Sequence, residues 1–216
     1  MSRMPNIIRQ HLAALRVLLI LTIITGVAYP LVVFGIAQVA FRSQANGSLV
    51  SDQGKVVGSS LLCQEFTGAN GNPLPAYFQP RPSNAVNPAS KTGYGCDPGF
   101  SGASNLGPSN PVLVRLIRQR RAQVAAFNHV SPSQVPPDAV TASGSGLDPD
   151  ISPQYAYLQA SRVAAARHAS PAAVRALVTR FVQGRTLGFL GEPRVGVLNL
   201  NIALDQQFPL RHSPGR

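Results

Sequence analysis

Tryptophan is missing from this chain, lysine occurs only at 55 and 91, and there are just two cysteines and eight acidic residues among 216. Aromatic residues make up 6%, and they do not follow the arginines along the chain. A platform of stacking rings interleaved with basic residues, as single-stranded nucleic acid requires, is therefore lacking. The four histidines, His11, His129, His168 and His212, have no ligand partner at i+3 or i+4, which excludes the usual zinc spacings. A phosphate-binding loop fails at both ends, because Leu49 stands where its first glycine belongs and Val56 follows Gly54-Lys55. Gly93-Tyr94-Gly95 begins a dinucleotide-like pattern, but Pro98 takes the third glycine's place. No Gly-x-Ser-x-Gly elbow occurs. Asp148 and Asp150 sit in a proline-rich turn before a helix cap, which suits turn formation better than acid/base work. An enzyme acting alone is not expected, and neither a metal nor a cofactor of its own.

What is abundant is apolar residues at 44%, arginine, and the two turn formers, glycine and proline at 19 each. The formal net charge is +11. From Val17 to Phe41 runs an uncharged stretch of 25 residues, including VLLILTIITGVAYPLVVFGIAQVA. As a helix it reaches about 37 Å, enough to cross a hydrocarbon core roughly 30 Å thick. A cleaved secretory signal is the competing reading, with Gly35-Ile36-Ala37 or Ser43-Gln44-Ala45 as cleavage sites. Such a signal has an apolar region of only about 7–15 residues, so a retained anchor is expected. Pro30 predicts a kink or a packing point, and Gly26 and Gly35 permit close approach of a neighbouring helix. Tyr29 and Gln38 suggest a protein-facing side. Arg3, Arg9 and Arg16 precede the span and only Arg42 closely follows it. The charge rule then places residues 1–16 in the cytoplasm, 17–41 in the membrane and 42–216 outside.

The outer segment has the length of one domain. Residues 46–67 alternate short apolar runs with Asn-Gly, Asp-Gln-Gly and Gly-Ser, the signals of a small β region. Residues 68–110 form a long aperiodic stretch rich in Gly, Asn, Pro and Ser, of the kind that is functional or docked. Three helices follow, opened by Ser109-Asn110-Pro111, Ser152-Pro153 and Ser170-Pro171, each a capping residue before a proline. In the first, Leu113, Leu116, Ile117, Val124 and Phe127 share one face, with Arg115, Arg118 and Arg121 opposite as a solvated stripe. Arg120 projects from the apolar face and needs a partner, for which Asp148 is the expected carboxylate. The others span about 154–167 and 172–183. Arg194–Leu198 reads as a strand leading to a helix over 199–206. The fold class is α+β: one transmembrane helix, then a single loop-rich extracytoplasmic domain. Under this topology Cys63 and Cys96 lie in an oxidising compartment and admit a disulfide, two free thiols being the alternative.

Several blocks carry a resemblance: Gln44-Ala45-Asn46-Gly47-Ser48-Leu49, Phe66-Thr67-Gly68, Tyr77-Phe78 with Arg81-Pro82-Ser83, Ser101-Gly102-Ala103-Ser104-Asn105-Leu106-Gly107, the Val140–Pro149 run, Arg162-Val163-Ala164 with Ala166-Arg167, and Leu198–Asp205. In this order they closely resemble the C subunit of the Kdp-type potassium-transporting ATPase. The resemblance implies an accessory, single-pass subunit of an ATP-driven potassium importer in a bacterial plasma membrane. Its partners would be a channel-like, potassium-translocating A subunit, a P-type ATPase B subunit and a small F subunit, with membrane lipid around the span. It also implies a catalytic chaperone that raises the ATP affinity of the B subunit, with ATP reaching the complex through that subunit. Ser101, Gly102, Ser104 and Asn105 would form the nucleotide-related loop, although Ala103 replaces a glycine of the pattern. Cys63, Cys96 and the Lys91–Phe100 stretch are departures from the family pattern. The charge rule puts the loop away from ATP, so either the effect passes through the membrane helices or the topology is inverted. The charges favour the first. A membrane-anchored basic module for cell-wall polymer or nucleic acid is the alternative from another class. It predicts aromatics among the arginines and strong salt dependence.

Overall fold

In the computed structural model, residues 5–87 and 95–210 are described, and they fall into two units, residues 1–48 and 49–216. Arg3, Lys91, Gly93, Tyr94 and His212 lie outside the described residues. In the first unit, α1 (Asn6–Ile23) passes through a π-helical turn (Ile24–Ala28) into α2 (Tyr29–Ala40). Together they form one helix of 35 residues, long and apolar enough to cross a membrane, with no buried side chain. The π turn has a local cause. Pro30 has no N–H, and its ring would collide with the carbonyl four residues back, at Gly26. One extra residue in the turn moves that carbonyl aside. The helix begins eleven residues before the uncharged stretch, so Arg9 and Arg16 ride on its first turns. A short α3 (Arg42–Ala45) ends the unit, and Asn46 closes it by donating to the Gln38 side chain at 3.1 Å.

The second unit opens with a hairpin, β1 (Leu49–Asp52) against β2 (Lys55–Ser59), paired antiparallel from Leu49↔Ser59 to Asp52↔Lys55. Gln53 and Gly54 turn it with φ of 47° and 79°, the left-handed pair that a two-residue hairpin loop needs. After the long loop comes α4 (Pro111–Asn128), then β3 (Asp150–Ile151), α5 (Pro153–Ala166), α6 (Pro171–Phe181), β4 (Val195–Gly196) and α7 (Val197–Gln207). The expected caps form. Asn110 accepts from Val112 N at 2.8 Å, Ser152 from Tyr155 N at 3.0 Å and Ser170 from Ala173 N at 3.2 Å.

The core lies among α5, α6 and α7. α5 presents Ala156, Ala160, Val163 and Ala164, whose small volumes let α6 come close with Val174, Leu177 and Val178. Val195, Val197, Leu200 and Leu204 close the layer from the last segment. The strand expected over 194–198 is only two residues long, and the helix starts at Val197 rather than 199. An apolar run as short as Val195–Leu198 cannot separate a strand from the buried first turn of a helix. Here Gly196 is the last paired residue and also the helix cap.

Candidate functional site

The long loop is docked, and buried polar groups of the helices dock it. Backbone 78–79 is gripped as a strand would be, but by side-chain amides. Phe78 N donates to Asn201 Oδ1 and Asn201 Nδ2 donates back to Phe78 O, both at 2.9 Å. Gln79 N donates to Gln159 Oε1 at 2.8 Å, and Gln159 Nε2 returns to Gln79 O at 3.0 Å. Just before this, Arg162 spreads its fork over the carbonyls of Leu74, Pro75 and Tyr77 while holding Asn128 Oδ1 at 2.9 Å and Gln159 Oε1 at 2.7 Å. Its other face lies on the Phe127 ring, 4.3 Å from the centroid. Burial pulls the Arg162 pKa down to about 10, so the cation is held by dipoles and a ring. Arg167 reaches Ala76 O at 2.7 Å and Phe208 O at 2.8 Å, and pairs with Asp205 at 2.8 Å.

A second assembly gathers around the turn 144–148. Ser83 Oγ donates to Gly146 O at 2.6 Å and accepts from Ala85 N and Cys96 N at 3.0 and 2.8 Å. Cys63 N donates to Leu147 O at 2.9 Å. Gly146 has φ +73°, and a Cβ there would sit 2.6 Å from both Ala85 N and Gly102 O. Only glycine fits. Cys63 and Cys96 are joined in a disulfide beside this turn.

The nucleotide-related loop belongs to the same assembly. Gly102 N donates to Ser145 O at 2.8 Å and Ser101 Oγ to the same oxygen at 3.1 Å. Ser104 Oγ accepts from Leu106 N, and Asn105 takes a left-handed φ of 52°. The loop does not open a helix, since α4 begins at Pro111 under its own cap, Asn110.

Arg120 and Asp148 are not brought together as expected. Asp148 accepts from Arg81 Nη1 at 2.8 Å, and Arg81 also donates to Thr141 O. Arg120 instead donates to Val140 O at 3.2 Å and is half-buried. The reason is geometric: Arg81 comes from the docked loop, which no helical periodicity could place, and its guanidinium occupies the Asp148 carboxylate. Arg120 borders a cleft of about 320 Å³ that also includes Glu65, Gln123, Phe127 and Tyr155. Burial pushes the Glu65 carboxyl up, opposed by a hydrogen bond from the Gly95 backbone, and lowers Arg120. The Tyr155 phenol is also raised by burial. Among the described residues no ion pair engages Glu65 or Arg120, and no cluster of three or more His, Cys, Asp or Glu is placed to hold a metal. The cleft is equipped to bind polar groups between apolar walls.

Arg162 and Asn201 entered the sequence reading only as members of resemblance blocks, Gln159 not at all, and none was given a role. The signal was available, because Tyr155, Gln159 and Arg162 follow each other at i+4 and i+3 on the buried face of α5. The test applied to Arg120 finds Arg162 as well.

The family model described as "KdpC: K+-transporting ATPase, c chain" matches residues 11–206, which takes in both the apolar helix and the second unit. A potassium-transporting ATPase KdpC subunit from Rhodospirillum rubrum is 52% identical over 192 residues, covering 89% of this chain and 93% of its own. The KdpC subunit of Kineococcus radiotolerans is 47% identical over 206 residues, with 95% and 98% covered. That of Streptomyces avermitilis is 48% identical over 217 residues, with 95% and 97% covered. With a family match over most of its length and near full-length identity of about half to several relatives, this chain belongs to the KdpC family, the c chain of the K+-transporting ATPase.

Proposed function

We propose that this chain is the membrane-anchored accessory subunit of an ATP-driven potassium import complex. The observation that carries the reading is the family match across residues 11–206, anchor and domain together. The partners are a channel-like potassium-translocating subunit, a P-type ATPase subunit that holds ATP and forms the aspartyl-phosphate, and a very small fourth subunit. The chain's own part is assembly and a chaperone-like rise in the ATP affinity of the ATPase subunit. It sits in the bacterial plasma membrane with its N-terminus in the cytoplasm and residues 42–216 outside. Three arginines before the span against Arg42 after it support this orientation. The Cys63–Cys96 bridge supports it too, because disulfides persist in oxidising compartments.

The test is purification from mild detergent through a C-terminal tag. A P-type ATPase and a channel-like protein, with potassium-stimulated ATP hydrolysis, are expected to co-purify. Recovery of the chain alone from potassium-starved cells overturns the reading. Alkaline phosphatase fused after residue 110 is expected to be active, and activity of only a cytoplasmic reporter there reverses the orientation.

A further inference from the structure

Two charges of opposite sign share one cleft and do not pair with each other. The cleft, of about 320 Å³, is bordered by Glu65 and by Arg120 of α4, and among the described residues neither takes part in an ion pair. Arg120 gives one donor to Val140 O at 3.2 Å and keeps the rest of its fork uncommitted among the described residues. Glu65 accepts a backbone hydrogen bond from Gly95. Burial pulls Arg120 down and, against that bond, pushes Glu65 up, so each charge gains from a counter-ion that the protein does not supply. Arg81 also lines the cleft, but Asp148 answers it at 2.8 Å. Tyr155 adds a third uncommitted group. It is 4% exposed, and its phenol has no hydrogen-bond partner among the described residues. A hydroxyl so deeply placed ordinarily has one. Phe127, Val124 and Pro80 supply the apolar wall.

We infer that the cleft binds a free amino acid with an apolar side chain, its carboxylate taken by Arg120 and the Tyr155 hydroxyl, its ammonium by Glu65 and its side chain by Phe127 and Val124. The charges choose this class. A site whose unanswered charges are one cation and one anion is neutral overall, and its complement is a neutral molecule that carries both signs. A chain of phosphates needs several cations and would be repelled by Glu65. A bare metal ion would be repelled by Arg120, and the described residues offer it no cluster of ligands. A purely apolar molecule would bury both charges without a partner, which is costly. An internal stretch of polypeptide has its α-amine and α-carboxylate tied up in peptide bonds. The volume agrees, since about 320 Å³ is at the small end of ligand pockets. The apolar wall then selects among amino acids, because glycine would leave it facing water.

The experiment uses the full chain in mild detergent, with binding read by saturation-transfer NMR and the signal of empty micelles subtracted. Free leucine is the probe, and it is expected to saturate the chain at or below about 1 mM. 4-Methylpentanoate is leucine without its amine, and 3-methylbutylamine is leucine without its carboxylate. Each is expected to bind at least tenfold more weakly, because each strands one charge of the cleft. Free glycine is expected to lose as much for want of a side chain. Equal binding of either one-charge analogue overturns the two-charge site, and equal binding of glycine overturns the apolar selection. Glycerophosphoethanolamine carries both signs as a lipid headgroup does, and tighter binding of it than of leucine overturns the amino acid as occupant. Arg120→Met is expected to weaken leucine at least tenfold and leave 3-methylbutylamine unchanged. Glu65→Gln is expected to weaken leucine as much and leave 4-methylpentanoate unchanged. The analogues act on the unsubstituted chain, so the proposal stays refutable even if a variant fails to fold. No saturable binding of leucine overturns it outright.

Discussion

Replacing Arg162 by methionine tests how the long loop is held. Arg162 is 6% exposed and faces no carboxylate. Its Nε serves Asn128, its Nη2 serves Gln159, and its Nη1 faces the three loop carbonyls. Methionine keeps the stem but strands Asn128 Oδ1 and the carbonyls of Pro75 and Tyr77, while Gln159 Oε1 and Leu74 O keep their bonds from Gln79. Hydrogen bonds to a charged group contribute about 1.5–3 kcal/mol each, and three or four lost together, taken at about 2 each, amount to roughly 6–8 kcal/mol before relaxation. Against this, removing the cation relieves the burial that brings its pKa to about 10, worth about 3 kcal/mol. The net expectation is a loss of about 3–5 kcal/mol, within the range seen when a buried charged partner is removed. Arg162→Lys keeps the charge but has no planar fork, and about 2–3 kcal/mol is expected. Urea unfolding of the full chain in mild detergent, followed by tyrosine fluorescence, measures both. Hydrogen exchange adds a local readout, since protection around residues 76–79 should fall more than protection in α6. A loss below about 1 kcal/mol for the methionine variant, with the loop still protected, would show that the guanidinium does not hold the loop.

Three further perturbations follow from the second assembly. Cys63→Ser with Cys96→Ser opens a separation of 33 residues and is expected to remove about 3–4 kcal/mol, read as the drop in urea midpoint that dithiothreitol causes in the unsubstituted chain and not in the variant. Gly146→Ala pushes a Cβ into Ala85 N and Gly102 O at positive φ, so a loss above about 2 kcal/mol is expected, with exchange at Gly102 accelerated; an unchanged midpoint would refute the close approach. Double-mutant cycles should find coupling of up to about 1 kcal/mol between Arg81 and Asp148, whose side chains are 23% and 32% exposed, and none between Arg120 and Asp148.

Legibility in the sequence tracked the range of the forces involved. The spanning helix, the capped starts of α4, α5 and α6 and the small β region at 46–67 are local, set by a few neighbouring residues, and they could be read. Even there the π turn at Ile24–Ala28 was not foreseen, since Pro30 announces a disturbance but not its form. Pairings across the chain were out of reach. Arg81 meets Asp148 across 67 residues and Asn201 grips Phe78 across 123, and no periodicity encodes such distances. Arg120 was rightly marked as needing a partner, but the expected carboxylate, Asp148, is held by Arg81. The candidate was chosen from a helix because helices were the only elements whose faces could be drawn.

The same contrast explains how a chain so rich in glycine and proline keeps a defined shape. Among the described residues the two small sheets offer few ladder bonds, so most of the loop at 60–87 and 95–110 has no strand to pair with. Buried backbone groups must still be satisfied. Gln159 and Asn201 present amides, whose donor and acceptor match the C=O and N–H of one residue as a paired strand would, and Arg162 and Arg167 present forks that take several carbonyls at once. A loop fixed by side chains in this way is specified point by point, because each amide fits the N–H and C=O of one residue. That makes it rigid enough to place Arg81, Ser83 and Cys96 around the turn at 144–148, and it puts the stability of that turn under the control of residues on α5 and α7. A substitution at Gln159 should therefore be felt at Gly102, which it does not touch, through Arg81 and Ser83, whose bonds to Asp148 and Gly146 hold the turn on which Gly102 rests.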